Sequence, residues 1–102
     1  MEMTTSALPC PKWTQDQAIA YEAALEAIND MIAGYSEQIA LEQDSSAPNA
    51  ARIAWLEMRT DQATEIMHSL NVEDTANVRQ VLTEYSAMVR ARDAAEAVAI
   101  AA

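Results

Sequence analysis

Apolar residues recur along this chain at alternating intervals of three and four. Ala18, Tyr21, Leu25, Ile28, Ile32, Tyr35 and Ile39 form the longest such series, a heptad-type seam on one face of a helix. A capping box opens it: Thr14 stands at the cap with Gln17 three residues on, Asp16 sits near the positive end of the helix dipole, and Trp13 holds the staple position. The spacing predicts a helix over about 14–43. At 1.5 Å per residue it is on the order of 40 Å long, with Gly34 off the seam and costing up to about 1 kcal/mol.

Asp44-Ser45-Ser46-Ala47-Pro48 interrupts the pattern. It reads as a turn, with Ser46 as the next cap and Pro48 in the first turn of the new helix. That helix, over about 47–71, repeats the rhythm in Ile53, Leu56, Thr60, Ala63, Met67 and Leu70, while Trp55 and Ile66 flank the stripe. A third helix, about 74–99, is capped by Asp74 and gathers Val78, Val81, Leu82, Tyr85, Met88 and Val89 on one face. Its Ala-rich end has high helix propensity and little to bury. Short connections favour antiparallel neighbours, so the expected architecture is an all-α, antiparallel three-helix bundle over 14–102. Residues 1–13, interrupted by Pro9-Cys10-Pro11, read as a flexible arm.

Composition supports the all-α reading. One Gly and three Pro in 102 residues are too few for the turns of a sandwich or barrel. The absence of Phe leaves a thin core of aliphatic, Met, Tyr and Trp side chains. Without a long apolar run or a basic, apolar leader at Met1-Glu2-Met3-Thr4, the expectation is a cytoplasmic protein that does not engage membranes.

Charge changes the picture more. The net charge is −10, and the segment from residue 14 to residue 44 supplies −7 of it through Asp16, Glu22, Glu26, Asp30, Glu37, Glu42 and Asp44, with no Lys or Arg. Glu22, Glu26 and Asp30 follow one another at intervals of four, where like charges cost about 0.2–0.5 kcal/mol per pair. Such a face either keeps the protein soluble or docks on a basic surface. As an imitation of nucleic acid it is coarse: one charge per ~6 Å against one per ~1.7 Å of duplex. Direct nucleic-acid binding is not expected, because six scattered basic residues face sixteen acids.

Catalytic chemistry finds no footing. Glu65 and His68 have the Glu-x-x-His spacing of helix-bundle metal sites, but His68 is the one histidine and such sites need two copies with further carboxylates. Cys10 is the one cysteine, which excludes an intrachain disulfide. A lone Gly34 offers no phosphate-cradling loop. The expectation is therefore a protein that is not an enzyme and needs no metal or cofactor.

Together these features suggest a partner-binding protein. Glu22, Glu26, Asp30 and Glu37 would contact a protein with a basic, nucleic-acid-handling surface, with Trp13 and Trp55 as apolar anchors. Docking there would inhibit the partner. Inhibitors carried by phage and mobile elements, including anti-restriction and anti-CRISPR proteins, are an analogy of class alone. The alternative is an oligomeric scaffold or adaptor, in its simplest form a homodimer, joined through the seam of the first helix.

Overall fold

The computed structural model describes residues 13–101 and consists of three helices, α1 (Gln15–Gln43), α2 (Ala50–Ser69) and α3 (Thr75–Ala101). Apart from Trp13, the proposed arm, with Cys10 and Lys12, lies outside the described residues. No helix among the described residues is long and apolar enough to cross a membrane.

Each helix begins where a side chain satisfies its free amides. At α1 the capping box is complete: Thr14 Oγ1 accepts from the Gln17 amide at 3.1 Å, and Gln17 Oε1 accepts from the Thr14 amide at 2.8 Å. α2 starts three residues later than expected. Its cap is Asn49, whose Oδ1 accepts from the Arg52 amide at 3.0 Å, so Pro48 precedes the helix and Ser46 caps nothing. The selecting contact is tertiary, because the Asn49 amide donates to Glu42 Oε2 of α1 at 2.9 Å. α2 also ends two residues early, at Ser69, with Leu70 extended and buried. At α3, Asp74 Oδ1 accepts from the Asn77 amide at 3.2 Å. The helix starts one residue later than expected and runs two further, to Ala101.

The core follows the seams. α2 buries Leu56 and Ala63, with Leu70 just beyond its end, at intervals of seven; Ile53 before them and Thr60 and Met67 between them are partly buried. α3 buries Val78, Val81 and Tyr85, and Leu82, Met88 and Val89 pack against them. In α1 the deepest residues are Ala24, Ile28, Met31 and Tyr35, flanked by partly buried Tyr21, Leu25, Ile32 and Ile39. The α1 stripe is thus one row wider than the heptad alone implies.

The reason is that α1 packs against both other helices, whereas α2 and α3 bring no Cα pair within 8 Å of each other. Successive position did not make α2 and α3 direct packing neighbours. Ala24 and Gly34 lie on α1, and small residues let backbones close in. Along α1 and α3 the ties advance together, Gln17 to Thr75 at 2.7 Å and Asp30 to Arg92 at 2.9 Å. Along α1 and α2 they run in reverse order, Glu42 to Asn49 and then Gln38 to Arg52.

Beyond Arg92, every side chain described on α3 is exposed. Val98 and Ile100 are among them. This end is helical through the propensity of its alanines rather than through packing.

Candidate interaction surfaces

Burying the α1 seam dictates where its charges go. At about 100° per residue, Glu22, Glu26, Asp30 and Glu37 fall on the side of the helix opposite Ile28 and Tyr35, and all four are exposed. Their surroundings differ. Asp30 is held by α3: the Arg92 guanidinium donates to its carboxylate at 2.9 Å and to its backbone carbonyl at 3.2 Å, while a second nitrogen reaches Asp93 at 2.8 Å.

Arg92 is mostly covered, and its hydrogen bonds to Asp30 and then Asp93 push its already high pKa further up. Gly34 makes room for it. A Cβ there would meet the guanidinium at 3.2 Å, closer than ordinary van der Waals contact. The glycine that looked like a small loss of helix propensity is the seat of an interhelical ion pair. Glu22, Glu26 and Glu37 make no ion pair among the described residues.

The two proposed aromatic anchors have different settings. Trp13 precedes the α1 cap and is 42% exposed. Trp55 is 46% exposed on α2, with the Arg52 and Arg59 guanidiniums 5.5 and 6.0 Å from its ring centroid. The structure therefore brings Trp55 together with two cations and not with the α1 carboxylates. Sequence reasoning passed over this cluster, although its i−3 and i+4 spacing was a readable signal.

The remaining candidates stay apart. Glu65 and His68 are both exposed, and no three His, Cys, Asp or Glu side chains converge on a common point among the described residues. Tyr21 is half-buried, while Tyr35 and Tyr85 are buried. Tyr85 has its pKa raised, first by burial and then by Tyr35, with Arg59 pulling the other way.

Comparison with protein families, with curated proteins and with solved structures finds no match to this chain.

Proposed function

We propose that this chain is a non-catalytic binding protein that docks through the acidic face of α1 on a basic surface of a larger protein, and that by covering a nucleic-acid-binding groove it inhibits that partner. One observation carries the reading. Along the whole of Gln15–Gln43 there is no basic residue, and Glu22, Glu26 and Glu37 stand exposed on the face turned away from the core. A helix needing only solubility gains from mixed signs, since a Lys four residues from a Glu stabilises by about 0.2–0.5 kcal/mol where a second Glu costs as much. Keeping one sign throughout forgoes that gain. It also focuses a field that speeds encounter with an oppositely charged surface.

Glu22, Glu26 and Glu37 are the contact residues, with Trp13 as the apolar element at the end of the face. Asp30 contributes charge while anchoring Arg92. Anti-restriction and anti-CRISPR proteins exemplify this kind of action. The scaffold alternative draws less support, because Ile28 is fully buried and Ile32 packs on the core within a single chain.

The test is capture of partners by tagged protein from a host lysate at low salt, elution at about 0.5 M salt, where the Debye length is only a few ångströms, and mass spectrometry. The expected product is a nucleic-acid-binding protein whose substrate binding falls when the purified chain is added. Partners that survive high salt, or that keep full nucleic-acid binding, would contradict the reading.

A further inference from the structure

The outer surface of α2 carries a feature that an acidic docking face does not use. Trp55 and Met58, one turn apart, are each 46% exposed. Arg52 and Arg59, seven residues apart and so separated by about 10.5 Å along the axis, bracket the Trp55 ring. Sixteen acids are available in the chain, and Glu57, Asp61 and Glu65 lie on the same helix. Yet neither guanidinium pairs with a carboxylate among the described residues. Arg52 donates to the neutral amide of Gln38 at 2.9 Å, and Arg59 to that of Gln62 at 3.1 Å. Each guanidinium has five N–H donors, and Arg52 is exposed and Arg59 half-buried beside this exposed apolar centre.

We propose that Arg52, Trp55, Met58 and Arg59 form a second docking surface, opposite in charge to α1, which takes an acidic protein segment whose carboxylates meet the two arginines and whose apolar side chain covers Trp55 and Met58. Charge complementarity selects this occupant. A carboxylate matches the planar fork of a guanidinium, and Trp and Arg are the residue types that dominate interface energetics when desolvated. Nucleic acid fits less well: two cations neutralise too few phosphates, where binding draws on about six to ten such contacts. A second copy of this chain would have to bring its own net charge of −10 against the same charge here.

The indole N–H signals of the full chain test the proposal, because Trp13 and Trp55 are its two tryptophans and Trp13 serves as an internal reference. The probe is a synthetic helical peptide with two Glu seven residues apart and Leu between them; controls are the same peptide with Gln for Glu and a short DNA duplex. The expected result is a saturable shift of the Trp55 signal alone, weaker by about tenfold or more with the Gln peptide and with Arg52→Gln protein. Arg52→Gln removes one exposed hydrogen bond, to Gln38, and the guanidinium over Trp55, neither of them in the core, so the fold persists and circular dichroism verifies it; Met58→Ser provides a second variant with the same expected loss. Equal shifts with both peptides, no shift, a stronger response to duplex, or concentration-dependent self-association abolished by Arg52→Gln would each overturn the proposal.

Discussion

Seen from solvent, α1 carries Glu22, Glu26 and Glu37 with no basic residue along its length, whereas α2 sets Arg52 and Arg59 around the exposed ring of Trp55. Both helices bury the same kind of seam, Ile28 and Tyr35 on one and Leu56 and Ala63 on the other. What differs lies on positions that packing does not constrain. The two faces can therefore be altered separately, provided that the α1 seam holding both flanking helices is intact.

The largest expected effect comes from breaking that shared support. Ile28 is fully buried on the helix that packs against both others, which bring no Cα pair within 8 Å of each other, so Ile28→Ala should cost about 2–5 kcal/mol in urea unfolding. It would loosen both surfaces together.

The tie between α1 and α3 comes next. Arg92→Ala should cost about 1 kcal/mol through lost packing and the lost pair with Asp30. Gly34→Ala gains up to about 1 kcal/mol of helix propensity but must displace the Arg92 guanidinium. It should therefore stabilise more in an Arg92→Ala background than in the native chain, a non-additivity readable in a double-mutant cycle.

A pH effect follows from Tyr85. Its folded-state pKa lies above the ordinary value of 10.0 because burial disfavours the phenolate. As pH rises past 10 the unfolded state gives up the proton first, so stability falls there and is unaffected by this group below it. Tyr85→Phe should flatten that part of the pH–stability curve, measured by thermal unfolding between pH 9 and about 11. The smallest effect concerns the acidic face itself. Glu26→Lys places opposite charges four residues from both Glu22 and Asp30, and should raise stability by a few tenths of a kcal/mol. A loss of stability would mean that the carboxylate row supports the fold, and would blur the distinction between seam and surface.

Much of this was readable from the chain because it depends on local spacing. The Thr14–Gln17 capping box needs only four residues, and the seams need only the recurrence of Leu56, Ala63 and Leu70. Features set by tertiary contacts were not readable. Asn49 outcompetes Ser46 as a cap once Glu42 of α1 receives its amide. Ala24 and Met31 become core because α1 has two neighbours instead of one. Gly34 acquires its role from Arg92, which is fifty-eight residues away in sequence. Of the site residues, the exposure of Glu22, Glu26 and Glu37 follows from helical phase, while the anchoring of Asp30 does not.

As a docking surface, and not only a solvated one, the α1 carboxylates must carry the affinity for a partner. The most direct test compares the native chain with the Glu22→Lys, Glu26→Lys, Glu37→Lys triple variant for binding to the salt-eluted partner, leaving Asp30 in place so that Arg92 stays anchored. The expected outcome is an unchanged helical fold with binding weakened by about a hundredfold or more and little remaining salt dependence. Binding that persists at native strength in the folded variant would contradict it.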